Sequence, residues 1–266
     1  MADTCKNCGE TITLNFCAGC GQKKFKRIDA GYVKDEMQYS VLHMNKGFFY
    51  SVKKLIVNPG KTAREYIDGN RVNHYKPILL AFVIAGIATF TSFKGLGLSA
   101  ILQRYYAEQQ LSSAFSNDMV TVLQGWNAFI MLGLIPFFAL TTWLAFKKFG
   151  HNYFEHMVLN AYFMAYYTLI SIVLIYPILF FVRDVPSTFV SISQMSILLA
   201  PALLLWFFRG FYPEKRMSSI AVNLAATFTL LILGFLILMT LFVLGAVVYA
   251  MISGPESLEY IKQNSN

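Results

Sequence analysis

The feature that most narrows the fold is a series of long, almost uncharged stretches crowded into the chain from Pro77 onward. They run from Pro77 to Phe93, Trp126 to Phe146, about Tyr153 to Val182, Ser191 to Phe208 and Ser219 to Ile252. About 17 to 25 apolar residues suffice to cross the hydrocarbon core of a bilayer as a helix. No water is available there to satisfy the backbone, so helices are the expected form. The last run holds 34 residues, too many for one crossing and too few for two, and predicts a helix that tilts or protrudes. Pro136, Pro177 and Pro201 fall inside the second, third and fourth runs, where each removes a backbone hydrogen bond and predicts a kink.

All four cysteines lie within the first 20 residues. Cys5-Lys6-Asn7-Cys8-Gly9 and Cys17-Ala18-Gly19-Cys20-Gly21 are two copies of C-x-x-C-G. Tetrahedral zinc takes four thiolates from two such tight turns, and the glycine after each pair permits the turn. A disulfide pair or a redox C-x-x-C is the competing reading. So small a module cannot bury a core without its metal. The expected fold class is therefore an all-α integral membrane protein. Five transmembrane helices are preceded by a small N-terminal zinc ribbon, with zinc as cofactor, and by amphipathic helices.

The expected divisions are a ribbon and basic linker over 1–27, a helical arm over 28–76, a transmembrane domain over 77–252 and a tail over 253–266. Lys23-Lys24-Phe25-Lys26-Arg27 suits a solvated or lipid-facing linker, and no nucleic-acid partner is expected. The stretch from about Asp29 to Met44 can be helical without a clean stripe. Phe48, Phe49, Val52, Leu55 and Ile56 share one arc of a helix, which either lies on a leaflet of anionic lipids or packs under the bundle. Asn58 and Pro59 form a good helix start, and Gly69-Asn70 a good stop, so a short helix is expected from Pro59 to Asp68. Lys76-Pro77 opens the first span. Leu98, Ile101, Leu102 and Tyr105 predict a short interfacial helix between spans one and two.

The chain carries a formal charge of +8, and the placement of that charge sets the orientation. Of its 22 Lys and Arg residues, 18 lie in the arm and in the loops after spans two and four, against Lys94, Arg104, Arg183 and Lys262 on the other side. The positive-inside rule then puts the N-terminus in the cytosol and the C-terminus in the periplasm.

Cys5-x-x-Cys8-Gly9 and Phe16-Cys17-x-x-Cys20-Gly21-Gln22 are followed by Pro59-Gly60, Arg64-Glu65-Tyr66-Ile67, Gly69-x-Arg71 and Pro77. Together they resemble a bacterial family known as a domain of unknown function (number 3667). His151-Asn152-Tyr153-Phe154-Glu155-His156 is similar to that family's second signature. The resemblance implies a ribbon-bearing, multi-pass protein of the bacterial inner membrane and carries no activity. By span count alone the chain is also similar to the Yip family of membrane-shaping proteins.

Spans one, two, four and five contain no Asp, Glu, Lys or Arg, which argues against an ion-driven pump. His156, Asn160, Tyr167 and Ser171 recur at helical spacing on span three. They either hydrogen-bond between helices or line a hydrated cavity. His151-x-x-x-Glu155-His156 departs from the spacings of zinc peptidases, whereas Asn152-x-x-Glu155 fits a capping box, in which glutamine at 155 largely serves. Ala221/Ala225 and Ala246/Ala250 are small-residue pairs that suit either intramolecular packing or a homo-oligomer. The expected function is a non-catalytic membrane adaptor or organiser whose ribbon binds a cytosolic protein. The alternatives are a passive transporter or channel for a small solute or lipid and, last, an intramembrane metalloenzyme.

Overall fold

A computed structural model describes residues 3–24, 27–32, 47–109 and 113–253. Most of the stretch from Asp29 to Met44 and the C-terminal tail lie outside the described residues. The N-terminal module is built from strands β1 (Asp3–Thr4) and β2 (Thr11–Ile12), paired antiparallel with Asp3 opposite Ile12. Ten helices follow. Helix α1 spans Phe48–Val57, α2 Pro59–Ile67, α3 Pro77–Phe90, α4 Leu98–Glu108 and α5 Ser113–Phe146. Helix α6 spans Tyr153–Ile170, α7 Tyr176–Phe181, α8 Pro186–Ser196, α9 Leu199–Phe211 and α10 Met217–Ser253. Among the described residues five stretches are long and apolar enough to cross a membrane: Pro77–Gly95, Val120–Phe149, Tyr153–Phe181, Pro186–Phe211 and Met217–Gly245.

Local chemistry sets the helix ends. The Asn58 side chain accepts from the Lys61 N–H at 3.2 Å, with Pro59 in the first turn of α2. At the other end the Asn70 N–H reaches the Glu65 carbonyl and the Gly69 N–H the Tyr66 carbonyl, while Gly69 takes φ +114°. That is a Schellman stop, and Gly69 supplies the backbone freedom it needs. The 37 residues of α10 form a single helix.

The prolines behave differently from one another. Pro136 lies inside an unbroken α5. Pro177 follows a π-helical turn, Ser171–Ile175, a widened turn that accommodates the break a proline makes in the hydrogen-bond ladder. Pro201 does not kink a helix interior. The fourth span is two helices joined at Ile197-Leu198, and Pro201 sits in the first turn of α9, where a missing N–H costs little.

Helix α6 is the centre of the bundle. Its Leu159, Ala161 and Tyr162 are fully buried, against Leu80 and Ile84 of α3, Ile135 of α5 and Phe207 and Phe208 of α9. Helix α1 packs under the bundle, with Leu55 buried and Phe48 and Val52 against the core, while Phe49 is 83% exposed. Helix α10 buries Ile220, Leu224 and Thr227 near its start and is exposed at Ala221 and Ala225. Among the described residues the first small-residue pair is therefore not buried against another helix. The side chains of Ala246 and Ala250 lie outside the described residues.

Candidate metal centre

The four cysteines occupy two equivalent turns. Gly9 N–H bonds the Cys5 carbonyl and Gly21 N–H the Cys17 carbonyl, both at 2.9 Å. Both glycines have positive φ, +79° and +72°. The pairing of Asp3 with Ile12 is repeated twelve residues on, where Lys24 N–H bonds the Asn15 carbonyl and Phe16 bridges Lys23. Two like hairpins thus bring their knuckles face to face. Sγ of Cys5 lies 3.6 Å from that of Cys20, Sγ of Cys8 lies 3.4 Å from that of Cys17, and all four sulfurs lie within 4.8 Å of one another. A disulfide needs about 2.05 Å, so none is formed. A tetrahedral ion with metal–sulfur bonds of about 2.3 Å spaces its sulfurs about 3.8 Å apart, which this cluster fits. Apart from the cysteines, the module's buried apolar content among the described residues is Ile12.

The module is seated on one end of the bundle. The Gln22 side chain donates to the Gly69 carbonyl, and its oxygen accepts from the N–H groups of Arg71 at 3.2 Å and Val72 at 3.4 Å. Gln22 is buried, so these bonds satisfy an amide with no water to turn to. Asn73 reaches Asn7 at 3.4 Å. The Arg71 guanidinium bonds the Tyr66 carbonyl and lies over the rings of Tyr32 and Tyr66, whose hydroxyls meet at 2.9 Å.

A second anchor starts from the linker. Nε of Arg27 bonds Glu155 Oε1 at 2.9 Å, and its second nitrogen reaches Oε2 and the Gly150 carbonyl. Asn152 donates to the Ile28 carbonyl at 2.9 Å. The same two side chains form the expected capping box, with Glu155 N–H on Asn152 Oδ1 at 2.9 Å and Asn152 N–H on Glu155 Oε2 at 2.8 Å. Glu155 is therefore more than a cap. Glutamine there keeps the box but leaves Arg27 without its carboxylate, so beyond the cap a Glu155→Gln substitution is expected to carry the added cost of this ion pair. In a double-mutant cycle Glu155→Gln and Arg27→Ala should couple by about 1 kcal/mol in thermal unfolding. Asn152→Ala should cost about 1 to 2 kcal/mol, since it loses a cap and the Ile28 bond together.

The remaining motif residues knit the same end. Gly60 lies against the α9 backbone at Phe207–Phe211. Arg64 holds Asp68 at 2.8 Å, Glu214 at 3.4 Å and the Phe211 carbonyl at 3.2 Å. Glu65 lies 3.9 Å from Lys61. His151 stands outside α6, with Nδ1 3.3 Å from the Tyr212 hydroxyl, and burial lowers its pKa. The stripe on span three divides. His156 Nδ1 and the Asn160 amide both meet the Thr142 hydroxyl of α5, at 3.1 and 2.8 Å. The Ser171 hydroxyl turns back to the Tyr167 carbonyl. His156 and Asn160 thus bind helix to helix.

His74, which carried no role in the sequence, is 5% exposed beside Tyr50 and Tyr66. Among the described residues neither of its ring nitrogens has a hydrogen-bond partner. Burial, helped by Lys54, pushes its pKa down to about 4. The unfolded chain, with an ordinary value of about 6.5, then takes up a proton that the folded chain refuses. The stability this preserves is complete above pH 6.5 and is lost as pH falls from 6.5 towards 4. Melting temperature measured over that window should fall, and His74→Phe should flatten the dependence.

These observations define a class: a multi-pass helical membrane protein with a four-cysteine, metal-compatible module fixed on one end of its bundle. The family described as "Protein of unknown function (DUF3667)" matches over residues 45–89. The resemblance is borne out there, on the stretch holding Pro59, Gly60, Arg64, Tyr66, Gly69, Arg71 and Pro77. The cysteines and His151–His156 lie outside the matched residues. Comparison with curated proteins and with solved structures finds no match.

Proposed function

We propose that the chain is a non-catalytic adaptor or organiser of the bacterial inner membrane, whose zinc-loaded ribbon binds a cytosolic protein. Four thiolates from two knuckles are the ligand set of a closed structural zinc site, with no open position for catalysis. The observation that carries the reading is the apolar surface left on the ribbon after it is seated. Leu14 is 77% exposed and Phe16 59% exposed, while Gln22 holds the module in place. An anchored module that shows apolar side chains to solvent suits a partner that docks on a fixed platform. The basic loops that gather at this end, with Lys147, Lys148, Lys215 and Arg216, suit the cytosolic side and its anionic lipids.

A photo-crosslinking residue at Phe16 in native membranes tests this. The reading expects one discrete soluble partner, lost on Leu14→Ser and retained on substitution of the exposed Lys148. A chain lacking residues 1–24 that still moves a solute or lipid across vesicles would instead favour the transporter.

A further inference from the structure

The opposite end of the bundle holds an arrangement that the adaptor reading leaves unused. Lys94, Arg104 and Arg183 line one open hollow of about 260 Å³, with Asp184, Leu96, Gly97 and Ile101. Only four Lys or Arg residues were assigned to that side of the membrane by sequence, and three of them converge here. Among the described residues none of the three has an ion-pair partner. Arg183 is held by stacking on Phe180 at 4.3 Å. The three cations stand against the single carboxylate of Asp184, so the hollow keeps a net positive charge that an added anion would relieve.

The walls of the hollow are fixed by unusual backbone. Lys94 and Gly95 belong to a π-helical turn, Thr91–Gly95, that ends span one. Span three carries the second π-helical turn, and the Ser92 hydroxyl ties the two regions together by donating to Tyr176 at 2.8 Å. Such turns are strained relative to an α-helix and are frequent at functional sites. Leu96 and Ile101 are buried in a small cluster with Leu179 and Phe189, which supplies a rigid floor. Gly97 caps α4, which starts with neither a side-chain cap nor an acidic residue in its first turn. The positive end of that helix therefore adds to the field of the three cations.

We propose that this hollow binds a phosphate-type anionic group, held by Arg104, Arg183 and Lys94. Guanidinium groups match phosphate oxygens in pairs, and the lysine adds a point charge. The group is either the head of an anionic phospholipid or free phosphate.

The full-length chain in neutral detergent is titrated with phosphatidylglycerol, phosphatidylcholine or inorganic phosphate, and bound species are counted by native mass spectrometry. Phosphatidylglycerol or inorganic phosphate should bind about tenfold or more tightly than phosphatidylcholine. Arg104→Gln with Arg183→Gln should abolish the preference at an unchanged melting temperature, whereas Lys at both positions should keep most of it. Displacement of the lipid by inorganic phosphate assigns free phosphate, and its failure to displace assigns the headgroup. Absence of any preference over phosphatidylcholine overturns the proposal. So does a folded glutamine variant that binds like the parent.

Discussion

Gly60→Ala should destabilise the bundle by about 3 kcal/mol, more than most surface or loop substitutions. The added methyl carbon would stand 1.9 Å from the Phe207 carbonyl oxygen, 2.6 Å from the Phe211 nitrogen and 2.8 Å from the Gly210 carbonyl carbon. All three are backbone atoms of α9, and none can rotate aside. Helix α2 must therefore lift off α9, which also strains the bonds from Arg64 to Phe211 and Glu214. Two controls bracket the effect. At Gly210 a methyl would meet Asn58 Oδ1 at 3.0 Å, a side chain that can yield at the expense of its cap, with backbone no nearer than Gly60 Cα at 3.3 Å, for about 1 kcal/mol. At Gly86 no atom lies within 4 Å, and alanine should be neutral or slightly stabilising. Thermal unfolding of the three variants in detergent, followed by tryptophan fluorescence, should rank them in that order. Equal melting of Gly60→Ala and parent would mean that α2 does not sit on α9 as described.

What could be read in the sequence was what is local. The five spans follow from runs without charge, the capping box from Asn152 and Glu155 three residues apart, and the thiol cluster from two C-x-x-C-G turns. Each is a short-range rule that needs no knowledge of the fold. The seat of the ribbon was not legible, because its contacts join residues far apart in the chain. Gln22 stands in the family-like motif, yet nothing near it announces a bond to Gly69, and Arg27 looked like one more cation of a basic linker. Its partner Glu155 had already been explained by the cap. Gly60 was likewise visible as a motif residue, but the reason for it is a helix beginning at Leu199. The convergence of Lys94, Arg104 and Arg183 escaped for the same reason, since counting charges per side says nothing about where on that side they meet.

Cys17→Ser should have the largest effect on the ribbon. Among the described residues Ile12 is the module's only buried apolar residue besides cysteines, so a metal held by the four thiolates would supply nearly all its folding free energy. A structural zinc contributes on the order of 10 kcal/mol in such modules, far beyond what one buried isoleucine supplies. Elemental analysis should find about one zinc per parent chain and none in the variant, with the spans still inserted. The knuckle that places Gln22 is built on Cys17, whose N–H bonds the Gln22 carbonyl at 2.8 Å. Loss of the metal should therefore release Gly69, Arg71 and Val72 as well. The Arg27–Glu155 pair, which belongs to the linker and not to the knuckles, should weaken less.

The most direct test of a metal-held module locked onto the bundle is hydrogen exchange of the full chain before and after chelation. Fast exchange should appear after chelation at residues 5–22 and, with it, at residues 69–72, while α3 and α6 stay protected. Exchange that rises in the ribbon and leaves residues 69–72 untouched would contradict the seat. Protection of the ribbon that persists without any bound metal would contradict the metal.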